Sequence, residues 1–222
     1  MLALACAACS SPAPAPLPPP ASPSPLPTPL TMPAIPPEVI ATVNGTPIPL
    51  RHARIIVNSA FGEREPTPAE RALEYHRAME QLIIRELLRQ EAAARKIEPD
   101  AAAVERIRQQ VRSGHKTAAS YAKFLAEKGL DEKSFREELR VRNVVEKVVK
   151  AETEKVPATI PETEARQYYA NNPNLFESAG RPLPFEEVRE RIQQQVVTFR
   201  RQEALNTLLV RLRSSARIEK FI

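Results

Sequence analysis

Between Asp100 and Val156 the chain contains no proline, and its apolar residues recur three and four positions apart with charged residues between them. A stretch of that length without a helix breaker leaves few folds open besides packed amphipathic helices. The punctuation around it agrees. Beyond Glu38 there are only five glycines, and Gly45, Gly62, Gly114 and Gly129 each fall where an apolar period ends. Before Glu38 the chain is of another kind, holding thirteen of the 23 prolines and no charged residue. A Pro/Ala/Ser segment of this sort has too little apolar surface to build a core and favours extended polyproline geometry. The chain therefore divides into an apolar leader over 1–9, a tether over 10–37 and a charged, α-rich body over 38–222.

Within the body, "EVIATVNGTPIPL" (38–50) alternates apolar and polar residues around Asn44-Gly45, the preferred pair for a tight hairpin turn. Val39, Ala41 and Val43 are expected on one face. A first helix follows over 50–62, and a second runs from Thr67 to Lys96 with Met79, Leu82, Ile83 and Leu87 inward and Pro68 in its first turn. The third, over 98–114, turns Val104, Ile107 and Val111 inward. The fourth, over 117–129, presents Tyr121, Phe124 and Leu125 and ends at Gly129, where a C-cap glycine belongs. Asp131 caps a fifth helix with Phe135, Leu139, Val145 and Val148 along one side. "IPETEARQYYANNPNLF" reads as a short sixth helix carrying Tyr168 and Tyr169. The last helix shows a long stripe of Phe185, Val188, Ile192, Val196, Phe199, Leu205, Leu208 and Leu212. The closing "ARIEKFI" alternates like a strand, and pairing with Val39–Val43 would clasp the two ends of the body together.

The residues for chemistry are scarce. His52, His76 and His115 are far apart and near no cysteine, so metal-ligand spacing is absent, as are nucleotide-binding glycine patterns and a nucleophile elbow. Carboxylate pairs such as Glu137-Glu138 and Glu186-Glu187 lie on charged helix faces. Neither a cofactor nor a small-molecule substrate is expected. The net charge of +5 is interleaved rather than striped, aromatics make up 5%, and there is no tryptophan, which argues against a nucleic-acid partner. No run of about twenty apolar residues is present to cross a membrane as a helix.

The two cysteines, Cys6 and Cys9, both stand in "MLALACAACSSP". This stretch resembles the tail of a bacterial lipoprotein signal, in which a cysteine after small residues is lipidated. No positive residue precedes it, and a start site further upstream would supply that front end. Cys9 is favoured because Ser10 and Ser11 follow it and the tether then begins; Cys6 is the alternative.

Three segments, "IATVNGTPIPL", "AMEQLIIRELLRQEAAARKI" and "GLDEKSFREELRVRNVVEKVV", resemble in order the amino-terminal chaperone module of the SurA/PrsA family of extracytoplasmic foldases. "QYYANNPNLF" resembles the helix that follows in that family, with Tyr168-Tyr169 and Asn172-Pro173 matching a recurrent Tyr-Tyr-x-x-Asn-Pro. "PFEEVRERIQQQV" with "ARIEKFI" resembles the closing helix and strand. Family members with isomerase activity carry a parvulin prolyl-isomerase domain inserted just after the Tyr-Tyr helix. Here Phe176 is followed by the eight residues "ESAGRPLP" and then by the closing helix, so 176–184 is a short linker at the place of insertion.

The resemblance implies a mainly α fold: a multi-helix chaperone domain with a small β element joining the N-terminal and C-terminal strands. It also implies an ATP-independent chaperone for unfolded or nascent secreted polypeptides, held at a membrane by the lipid anchor, in the periplasm or on the outer face of the cytoplasmic membrane. Catalytic residues are not expected, because the isomerase domain is missing from its place. Tyr121, Phe124, Tyr168, Tyr169 and Phe176 are the candidates for client contact, each with a core role as the alternative. Two other functions fit the same residues: an adaptor lipoprotein that grips one partner through its long last helix, or an isomerase-family member working with a parvulin partner.

Overall fold

The computed structural model describes residues 38–178 and 181–221. Cys6, Cys9, the 10–37 segment and Ile222 lie outside the described residues. The body opens with a hairpin, β1 (Val39–Val43) and β2 (Thr46–Pro49). Asn44 and Gly45 both take positive φ, 52° and 80°, the pairing that a type I′ turn requires. The C-terminal strand β5 (Ile218–Lys220) pairs antiparallel with the other edge of β1, giving the order β2-β1-β5. The two ends of the body are thus clasped as the alternation predicted. Strict alternation in β1 does not hold, however. Its register with β2 is irregular between Val39 and Ala41, and Ile40 is buried together with Ala41 and Val43.

Seven helices are built on this sheet among the described residues. They are α1 (Leu50–Phe61), α2 (Pro68–Ala94), α3 (Ala101–Ser113), α4 (Ala118–Glu127), α5 (Glu132–Thr153), α6 (Glu162–Asn171) and α7 (Phe185–Ser215). Side-chain caps set four of their starts, while α1, α6 and α7 begin directly after Pro49, Pro161 and Pro184. Thr67, Thr117 and Asp131 each close a capping box with the residue three positions on, and the Asp100 carboxylate accepts from the Ala102 and Ala103 amides. A main core gathers Ile40, Val43, Val57, Met79, Ile83, Leu87, Val144, Val148, Leu208 and Leu212 from the sheet, α1, α2, α5 and the end of α7. Val144, between the expected Phe135 and Val145 positions, is buried, whereas those two are half-buried. Ile107 and Val111 of α3, which packs mainly on α5, are half-buried too.

A second core lies apart from the first. It holds Ile160, Ala165 and Phe176 against Phe185, Val188, Ile192, Val196 and Val197 of α7. The helix α7 therefore serves both cores, and it does so with opposite faces. Leu208 follows Ile192 by sixteen positions, which at about 100° per residue is roughly 160° of rotation beyond whole turns. Of the stripe expected from the sequence, Phe185, Val188, Ile192, Val196, Leu208 and Leu212 are buried and Leu205 is half-buried, whereas Phe199 is not covered. Phe199 stays on the Ile192 side, beyond the reach of the second core, and is 67% exposed, as is Val210 on the same side at 68%. From Thr198 to Glu203 no residue is buried.

Charge fastens the end of the chain to α2. Glu80 accepts from Arg213 (2.7 Å) and Lys220, and Glu91 accepts from Arg211 (2.6 Å) and Arg95. Burial alone would raise both carboxyls, but the hydrogen bonds from Lys220 and Arg213, and from Arg211 and Arg95, outweigh it and hold them below the usual glutamate range. A depressed folded pKa contributes stability that is present above the unfolded value of 4.5 and lost as pH falls through the folded one. The urea midpoint is therefore expected to hold from neutral pH down to about pH 5 and to fall steadily below about pH 4. Glu80→Gln should lower the midpoint at pH 7 and flatten the acid limb. An acid limb identical in the two proteins would remove Glu80 from this role.

Candidate functional site

The pattern of α1 decides where the molecule offers a surface. Ala53 and Val57, four positions apart, are buried on α2 and the sheet, which leaves Arg51, Arg54, Ile55 and Asn58 on the outer face. Facing them is the corner between α4 and α5. Gly129, at φ 65°, lets the chain reverse there, with the Gly129 amide donating to Ala126 O and the Leu130 amide to Leu125 O, both at 2.9 Å. The corner presents Phe124, Ala126, Glu127 and Lys128. Between α1 and this corner runs an open groove of about 470 Å³ whose apolar lining is Ile55, Phe124 and Ala126. The Lys128 ammonium lies 5.2 Å from the Phe124 ring centroid.

The five candidate aromatics fall into two groups. Tyr121 and Phe124 flank His115, whose ring centroid is 5.7 Å from the first and 4.7 Å from the second. Tyr121 is buried, and the Arg112 guanidinium lies over its ring at 5.5 Å, while Phe124 is half-buried at the groove. Desolvation by burial pushes the Tyr121 phenol up.

Tyr168, Tyr169 and Phe176 form the other group, in the second core. Phe176 is wholly buried, with Tyr168 edge-on at 6.2 Å and Tyr169 at 5.7 Å. The Tyr169 hydroxyl donates to Leu183 O (2.7 Å), and Asn172 Nδ2 donates to Tyr168 O (2.9 Å) as the chain turns into the 3-10 helix Pro173–Phe176. The Tyr-Tyr-x-x-Asn-Pro pattern is thus a building unit of this core, with Tyr168 and Tyr169 half-buried at its edge.

The linker at 176–184 has structure of its own. Within it β3 (Glu177–Ser178) pairs antiparallel with β4 (Arg181–Pro182), and the Leu183 amide donates to Phe176 O at 2.7 Å. The chain passes from Phe176 to α7 with no domain inserted at this point. Arg51, Arg54, Ile55 and Lys128 were not singled out in the sequence. The i, i+3, i+4 spacing opposite Ala53 and Val57 was the available signal on α1; nothing local indicated that the α4–α5 corner would face it.

Among the described residues no helix is long and apolar enough to cross a membrane, and no cluster of His, Cys, Asp or Glu has the makings of a metal site. The described residues form a helical body with a small clasping sheet and an open, partly apolar groove. The profile of the SurA-like N-terminal domain family matches residues 32–149, more than half of the chain, and the protein belongs to that family. A solved structure from work on two SurA-like chaperones of Campylobacter jejuni, the virulence factor PEB4 and the periplasmic protein Cj1289, is similar in fold. It has a TM-score of 0.52 at 11% sequence identity, over 83% of this chain and 99% of that one. Comparison with curated proteins gives no significant sequence match.

Proposed function

We propose that this protein is an extracytoplasmic, ATP-independent holdase for unfolded secreted or envelope polypeptides. One observation carries the proposal: the open groove between α1 and the α4–α5 corner, with Ile55 and Phe124 accessible in its lining, in a chain of the SurA-like family. Weak, non-directional contacts to an apolar lining tolerate many client sequences, and release then follows from the client's own folding. Phe124 is the groove contact of this proposal, with Tyr168 and Tyr169 offering a second half-buried edge. Tyr121 and Phe176 support those surfaces from beneath. Residues 1–9 are assigned as a lipoprotein-type signal with Cys9, or Cys6, lipidated, and 10–37 as the tether that holds the 38–222 body away from the membrane.

The test is light scattering from a denatured secretory protein diluted into buffer with increasing amounts of the full chain. Suppression at near-stoichiometric ratios, unchanged by added nucleotide, is expected. Absence of suppression with several unrelated clients would overturn the holdase reading and leave an adaptor for one partner.

A further inference from the structure

The groove has a charge character that its apolar lining does not require. Three cations border it, Arg51, Arg54 and Lys128, against the single carboxylate of Glu127, which already has Lys123 at 3.9 Å. Glu38 borders the same two arginines from the other side, beyond pairing distance. Two arginines of the adjoining α2 surface are matched by contrast: Arg85 pairs with Glu138, and Arg89 with Glu86 at 2.7 Å. Neither Arg51 nor Arg54 has a carboxylate within 4.0 Å among the described residues. Residues 10–37 contain no Asp or Glu. Unmatched cations of one sign around an apolar trough steer and orient a partner of the opposite sign.

We infer that the groove selects acidic–apolar segments of its clients, extended stretches in which aliphatic or aromatic residues alternate with Asp or Glu. This rests on the holdase reading and names its substrate class. The apolar side chains lie on Ile55, Phe124 and Ala126, and the carboxylates reach Arg51 and Arg54 along one wall and Lys128 along the other. The two arginines, one helical turn apart on the exposed face of α1, give the segment a preferred line along that helix.

The experiment uses the full chain and two fluorescein-labelled twelve-residue peptides, identical in their Leu and Phe positions, one with Asp/Glu and one with Lys at the remaining positions. Fluorescence anisotropy at low salt should give the acidic peptide the tighter affinity by about tenfold, three exposed charge contacts at their usual modest strength. The preference should shrink in high salt as screening sets in. The double variant Arg51→Glu/Arg54→Glu, both on an exposed face, should reverse the preference with its circular dichroism unchanged. Arg201→Glu, exposed on α7 away from the groove, should leave it intact.

Equal affinities for the two peptides, or an equal loss with Arg201→Glu, would overturn the inference. An acidic-peptide affinity that weakens as protein concentration rises would also do so, by placing a second copy in the groove. Intact suppression of aggregation beside equal peptide affinities overturns this inference alone. Loss of suppression with every client overturns the holdase reading.

Discussion

Phe176→Ala is expected to unfold one end of the molecule and leave the other folded. The ring is wholly buried, takes Tyr168 and Tyr169 against its sides and has the Arg191 guanidinium 5.0 Å over its face. Removing a buried phenylalanine side chain costs about 3 to 5 kcal/mol, transfer and cavity together. The second core is small, and it joins the main one mainly through the middle of α7, where Thr198–Glu203 bury nothing. Hydrogen exchange read by mass spectrometry should show amides of 162–176 and 185–197 losing protection, while those of 79–92 in the main core keep theirs. A single global loss of protection would mean that α7 couples the cores tightly, against the two-core description.

Removal of residues 217–222 should be as damaging, by a different route. The sheet loses β5, and with it the Asn44 amide's bond to Arg217 O (2.8 Å), the Phe221 amide's bond to Ile40 O (2.9 Å) and the Lys220 contact to Glu80. The Asn44 side chain loses the Arg217 amide that it accepts from at 2.9 Å, though it still donates to Gln90 Oε1 at 2.7 Å. Several net hydrogen bonds at their usual strength, with the loss of the packing that Ile218 makes on the main core, amount to about 3 to 5 kcal/mol. The bared edge of β1 is also a template for pairing between chains; β2 is protected on its outer side by Pro47 and Pro49. The truncated protein should therefore unfold at lower urea and aggregate at concentrations the full chain tolerates. An unchanged urea midpoint would show that α7 alone holds the end of the chain in place.

Both expectations depend on what the linear pattern could and could not carry. Helix starts and turns are local affairs. Asn44-Gly45 encodes its own turn, Asp131 caps with Ser134 three positions away, and Gly129 supplies the positive φ that ends α4. The clasp of β5 on β1 was legible as well, because alternation at both ends of a helical body left each strand no better partner than the other. The family's motifs, read in order, carried the mainly α architecture and the empty insertion point after Phe176.

The route of α7 was not legible. A periodic stripe states which residues share a side, not whether anything covers that side. Phe199 and Ile192 are equivalent by period, yet one is exposed and the other buried, because the second core ends between them. The groove was hidden for a related reason. Its wall and its corner come from residues some seventy positions apart in the sequence, and the unmatched charge of Arg51 and Arg54 exists only once folding has decided which carboxylates lie near them. Local chemistry is written residue by residue in the sequence; coverage and charge balance are properties of neighbours, and only the tertiary structure supplies the neighbours.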